Sequence, residues 1–235
     1  MMVQTIEGFI MTSFTLDRLQ FSYEADFLPP VLEIVSASQQ LPFMKTLLKE
    51  FGLKLGDILL NPQSLSRNMI AFRKWLPSGG SFDVTLGTDG LSFNYYSPAS
   101  IEDAWEPVLN IINAIKQSAD LNCEKQVLKF LGHCAPGDVK AKEFIAGYNI
   151  FEADMLLSKG LTYTFAGPPE NAQTFLVMNE SAIIPDGLFV MSETTYGPFT
   201  EDVFEPAINY LTRTVFPAFG LEILSGEQKN EPPNS

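Results

Sequence analysis

The sequence predicts an α+β fold: an antiparallel sheet of hairpins with helices packed on one face, and an internal duplication of a β-β-α unit. Three observations carry that expectation. Apolar residues alternate with polar ones in runs joined by Gly-containing turns, which is the pattern of hairpins. Stripes at helical spacing follow those runs, so strands in series and then a helix replace the regular βαβ alternation of a parallel sheet. Finally, Glu102-Asp103-Ala104-Trp105-Glu106-Pro107-Val108-Leu109-Asn110 returns as Glu201-Asp202-Val203-Phe204-Glu205-Pro206-Ala207-Ile208-Asn209. Tyr-x-Pro and, further upstream, Asp-Gly-Leu precede both copies in the same order (Tyr96 and Asp89, Tyr196 and Asp186). A repeat of this kind describes architecture before it describes chemistry.

Taken along the chain, Leu19, Phe21, Tyr23, Ala25 and Phe27 alternate with Gln20, Ser22, Glu24 and Asp26, a strand with one wet and one buried face that Pro29-Pro30 ends. Pro42 to Gly52 reads as a helix with Pro at its first position and Gly just past its end. Met69 to Trp75 is extended. Phe82, Val84 and Leu86 then pair as a hairpin with Leu91, Phe93 and Tyr95 across Gly87-Thr88-Asp89-Gly90. Val108, Ile111, Ile112 and Ile115 supply a helical stripe, with Pro107 at the start of the main helix and Trp105 anchoring the turn before it. In the second copy Leu188 to Thr195 is the strand, Phe204 the anchor, and Ile208, Leu211 and Val215 the stripe. Between the copies, Cys123 to Leu131 and Val139 to Ala146 read as short helices, and Phe151 to Leu156 and Leu161 to Phe165 as strands. The expected organisation is a flexible leader over 1–13, a first repeat over 14–122, a second over 123–224 that can share one pseudo-symmetric domain with the first, and a disordered tail over 225–235. Met1, Met2 and Met11 all qualify as the translation start.

The 28 acidic against 15 basic side chains give a net charge of −13, whose field repels phosphate backbones and anionic headgroups. Nucleic acid and membrane are thereby disfavoured as partners. Protein, a small apolar ligand and self-association are left. No basic, apolar leader and no apolar run of about 20 residues occurs. The two cysteines, Cys123 and Cys134, read as reduced thiols of a cytoplasmic protein.

No catalytic signature is present. His133-Cys134 brings the single His beside one of two Cys, but neighbours on regular structure point apart, so a turn is the plainer account. No metal or other cofactor is implied, because Cys123, Cys134 and His133 have no recognised ligand spacing. Glu102, Asp103, Glu201 and Asp202 would form an acidic site for hydrolysis or a hard cation if the two copies converge. Acids opening a helix also complement its dipole. Abundant aromatic residues, 19 Phe among them, place core packing first on the strands, including Tyr163, Phe165, Phe175 and Phe189. They also allow an apolar cleft between sheet and helices, with Trp105, Phe204, Tyr95 and Tyr196 as its candidate ligand-binding residues.

Ser66 to Asn113 resembles a sporadically distributed bacterial family of uncharacterised proteins. The hairpin Phe82 to Tyr95, the turn Tyr96-Ser97-Pro98 and the helix opening at Trp105-Glu106 carry the likeness. That family continues with an Arg-Tyr-x-Asn type strand where this chain has Lys129-Phe130-Leu131-Gly132, so the resemblance implies fold and not activity. The leading functional expectation is a binding or protein-interaction module. A metal-assisted or acid/base hydrolase using the repeated carboxylates is its rival, and a structural oligomer subunit the third reading.

Overall fold

A computed structural model describes residues 11–35, 37–61, 69–76, 80–98, 106–117, 120–148, 160–167, 172–198 and 204–224. Within them the chain runs β1 (Thr12–Phe27), α1 (Ala37–Glu50), β2 (Ile58–Leu60), β3 (Ile70–Trp75), β4 (Ser81–Leu86), β5 (Gly90–Tyr96), α2 (Glu106–Lys116), β6 (Cys123–Pro136), α3 (Ala141–Ala146), β7 (Gly160–Gly167), β8 (Ala172–Glu180), β9 (Leu188–Tyr196), α4 (Phe204–Tyr210) and β10 (Leu221–Leu224). Ten strands form one sheet in the order β2-β3-β4-β5-β1-β6-β9-β8-β7, with β10 beside β1. Every neighbour pair is antiparallel except β1 with β10. This is the α+β sheet the sequence predicts. Among the described residues no helix is long and apolar enough to cross a membrane.

Paired residues of an antiparallel ladder point to the same side, so register sorts the side chains into two faces. Phe21 pairs with Tyr95 and Phe130, Tyr23 with Phe93 and Leu128, and Phe93 in turn with Val84. All seven are buried. Helical rings meet this face: Phe204 lies edge-on to Tyr23 with centroids 5.3 Å apart, and Phe216 sits 6.4 Å from Phe130. Phe51, in the turn after α1, is 5.5 Å from Phe82. The other face carries Gln20, Ser22 and Glu24 of β1 beside Leu131, Lys129 and Val127 of β6.

Two sequence expectations are corrected. Cys123 to Leu131 is not a helix but most of β6, one of the sheet's two long central strands. From Gln126 to Cys134 its buried positions alternate strictly, yet Val127 and Leu131 put apolar residues on the other face too, which masks the period of two. The helix expected from Pro42 begins at Ala37, with Pro42 inside it. Burial of Phe43, Met44 and Leu47 offsets the about 3 kcal/mol that an internal Pro costs. Gly52 does end this helix, in the left-handed region at φ +55°.

Strand β1 is longer than Leu19–Phe27 and begins at Thr12, whose N–H donates to Gly220 O at 2.7 Å. Its register shifts between Leu16 and Arg18. The extra residue there puts Phe14 and Leu16 on the core face together with odd-numbered Leu19 and Phe21, a change of phase that simple alternation cannot follow. Beyond α4 the helix continues as a wide turn over Leu211–Val215 and a last helical turn, Phe216–Ala218. Pro217 lacks the N–H that a regular turn would use here, which accounts for the local widening.

Candidate functional site

Of the four expected ligand-binding residues, Phe204, Tyr95 and Tyr196 are buried and Trp105 lies outside the described residues. Glu102, Asp103, Glu201 and Asp202 also lie outside them. The three described aromatics belong to two clusters. Tyr95 packs among Phe82 and Phe93, with centroids 6.0 and 6.2 Å away. Phe204 and Tyr196 join a polar seam on the other side of β1, built around a residue that composition did not single out. Gln126 is fully buried; its Oε1 accepts from Tyr23 OH at 2.6 Å and its Nε2 donates to Gly197 O at 2.8 Å. Tyr196 pairs with Gln126 across the β6–β9 ladder, yet its hydroxyl is buried without a hydrogen-bond partner among the described residues.

Burial raises the hydroxyl pKa of Tyr23 well above its usual value, and neighbouring Tyr196 and Cys123 add to the effect. Tyr196 is raised likewise by burial and then by Cys123. The Cys123 thiol is pushed up to about 11 by burial, against an opposing pull from Lys116. These groups are neutral near pH 7, so the seam has no ready nucleophile and is no thiolate site. Between sheet and α4, a slot lined by Phe21, Phe130, Ser192, Thr194, Ile208 and Leu211 has a volume of about 10 Å³. That is room for about one water.

His133 and Cys134 are neighbours on β6 and face opposite sides of the sheet. Cys134 is buried in the core with its thiol raised to about 12 by burial and then by Asp17. His133 stands on the other face beside Arg18, its partner in the β1–β6 register, and 4.9 Å from the ring of Phe189. The imidazole therefore does not activate this thiol. Its pKa is lowered, first by burial and then by Arg18. Among the described residues no three His, Cys, Asp or Glu side chains gather as a metal site.

The open face is the larger surface. Leu131, Met191 and Val177 form one row across β6, β9 and β8 in register. Phe189 flanks the row on one side, and Val127 lies beyond the Lys129–Glu193 rung on the other. Lys129 and Glu193, paired across the same strands, close an ion pair at 2.9 Å between them. Phe175, expected in the core, is 38% exposed on this face, and Phe189 shares it. Which parity of a strand faces the helices is set by register, and the sequence does not state it. On the first half of the sheet the same face carries Ser92, Asn94, Thr85 and an ion pair of Arg73 with Asp83, and toward its edge the exposed side chains of Leu59 and Trp75.

No family model matches this chain, and no curated protein does. Among solved structures, one similar chain is described as Methanococcus jannaschii TBP, at 14% identity over 86% of this chain and 98% of that one, with a TM-score of 0.29. A likeness of that size bears on neither fold nor function.

Proposed function

We propose that this chain is an acidic, cytoplasmic binding module without catalytic chemistry of its own, engaging a protein partner through the open face of its sheet. The carrying observation is the row Leu131, Met191 and Val177 with Val127, Phe189 and Phe175 around it. These apolar side chains stay part-exposed while the core face of the same strands is filled. A sheet with one covered face gains nothing in stability from apolar residues on its wet face, and contiguous apolar surface marks contact sites. The slot under α4 offers a ligand far less room.

A duplicated β-β-α unit is part of the same reading. Asp89-Gly90 and Asp186-Gly187 each lead into a strand (β5, β9), each strand ends at its Tyr, and a helix follows each. β5 lies beside β1 and β9 beside β6, and the two long strands pair antiparallel at the centre. On this reading the two halves kept one core and diverged on the open face, where β4 and β5 stayed polar and β8 and β9 became apolar.

The test is site-specific photo-crosslinking from Val177 in cells. One discrete adduct, lost in a folded Leu131→Asp/Met191→Asp variant and kept in Thr85→Asp, supports the reading. No adduct, or one indifferent to the double substitution, refutes it.

A further inference from the structure

Strand β1 changes neighbours partway along one edge: β10 pairs with Thr12 to Thr15, and β5 with Gln20 to Asp26. The register shift between Leu16 and Arg18 falls in this interval, and Ser97, held at φ +54°, closes it by donating its N–H to Leu19 O at 2.8 Å. The result is a half-open recess of about 230 Å³ on the open face, lined by Arg18, Gln20, Tyr96, Ser97, Leu131 and His133. Bulges often re-aim side chains beside functional sites, and here the bulge brings Arg18 opposite His133.

Hydrogen bonding decides which proton His133 carries. Ser181 Oγ accepts from Ile184 N–H at 3.0 Å and Ile183 N–H at 3.3 Å, and lies 2.9 Å from His133 Nδ1. With both lone pairs engaged, the hydroxyl has only its hydrogen left to give, so Nδ1 accepts it and the neutral ring carries its proton on Nε2. A guanidinium, an imidazole N–H, a carboxamide and two hydroxyls then line one recess. Its walls offer mainly donors, and the one cation among them is Arg18.

We infer that this recess binds a small organic monocarboxylate, with the carboxylate on Arg18 and His133 Nε2–H and its short apolar body against Leu131 and the Tyr96 ring. One guanidinium matches one planar carboxylate through paired N–H donors, whereas a dianionic phosphate would ask for more positive charge than the recess holds. Asp17 is the internal competitor. Its carboxylate stands 3.7 Å from Arg18 Nε, and with the two side chains 56% and 66% exposed the contact is loose enough for an incoming carboxylate to replace. The site does not depend on the apolar row having a partner.

His133 is the chain's single histidine, so its ring resonances in the intact protein report on the recess alone. The experiment titrates butyrate at constant ionic strength, with chloride and phosphate as reference anions. Butyrate is expected to give a saturable shift of the His133 ring signals and to raise the midpoint of their pH titration by about one pH unit, because a bound anion favours the imidazolium. Arg18→Gln, a change at an exposed side chain, should abolish the saturable response, and Asp17→Asn should tighten it several-fold. A response linear in butyrate and equal to that of chloride would overturn the inference. So would an undiminished response in folded Arg18→Gln, a weaker one in Asp17→Asn, or phosphate binding as tightly as butyrate.

Discussion

Removing one hydroxyl from each of two buried tyrosines should change stability in opposite directions. Tyr23 OH donates to Gln126 Oε1 at 2.6 Å, and Gln126 is fully buried. Tyr23→Phe leaves that oxygen without its donor, a loss of about 1–3 kcal/mol. Tyr196 is 4% exposed and its hydroxyl has no hydrogen-bond partner among the described residues. Tyr196→Phe therefore removes a desolvated polar group and opens a void of only about 10 Å³, which at about 24 cal/mol per Å³ costs roughly 0.2 kcal/mol. The net expectation is a gain of about 0.5–2 kcal/mol. Gln126→Leu should be worse than Tyr23→Phe, since it also strips Gly197 O of its donor. Urea unfolding at pH 7, followed by circular dichroism, reads all three as midpoint changes at constant m. If Tyr196→Phe lost about 1 kcal/mol or more, its hydroxyl would have a bound partner. The seam would then be a ligand or water site.

Other consequences are more direct. Phe204→Ala should cost about 3–5 kcal/mol, because the ring is 1% exposed and edge-on to Tyr23; a loss under about 1 kcal/mol in the same urea assay would take Phe204 out of the core. Tyr23, Tyr196, Cys123 and Cys134 all have pKa values raised by burial, so the folded state favours their protonated forms. Their contribution is complete below the unfolded values of roughly 9 for the thiols and 10 for the phenols, and is lost as pH climbs toward the folded ones; urea midpoints should fall steadily from pH 9 to 11, and a flat profile would contradict the burial. Gly187→Ala should cost more than about 1 kcal/mol, because an added Cβ would come within 2.6 Å of Cys134 O; wild-type stability in that variant would show that the Asp186-Gly187 turn can move.

The β4–β5 hairpin was legible because every local signal agreed: alternation in Phe82, Val84, Leu86 and in Leu91, Phe93, Tyr95, with Asp89-Gly90 between them. Leu161 to Phe165 and the helix after Pro107 were legible for the same reason. Strand β6 was not. Val127 and Leu131 on its open face erase the polar beat that Lys125 and Lys129 begin, and Gly132 and Pro136 imitate the punctuation of a helix end. Gly132 has a different task, since a Cβ there would sit about 3 Å from Phe130 and Leu16 side chains. The polar seam was hidden for another reason. Tyr23, Gln126 and Tyr196 are far apart in sequence, and only strand register brings them together. Likewise, nothing local says that Arg18 will face His133. That needs both the β1–β6 pairing and the bulge before Arg18.

The misreading of β6 and the proposed function have one physical cause. A strand with a single buried face announces itself by alternation; β6 lost its alternation because its second face also carries apolar side chains, and β8 and β9 do the same with Val177, Phe175, Met191 and Phe189. On β4 and β5 the equivalent face is polar through Asp83, Thr85, Ser92 and Asn94, so the fold itself does not demand the change. Leu131 lies where the two proposed surfaces meet, lining the recess and belonging to the apolar row. Leu131→Ser should therefore weaken both partner crosslinking and the butyrate response of His133. Phe175→Ser, two strands away from β6 on β8, should weaken crosslinking alone. Loss of the butyrate response in Phe175→Ser would mean that the apolar row and the recess are one site.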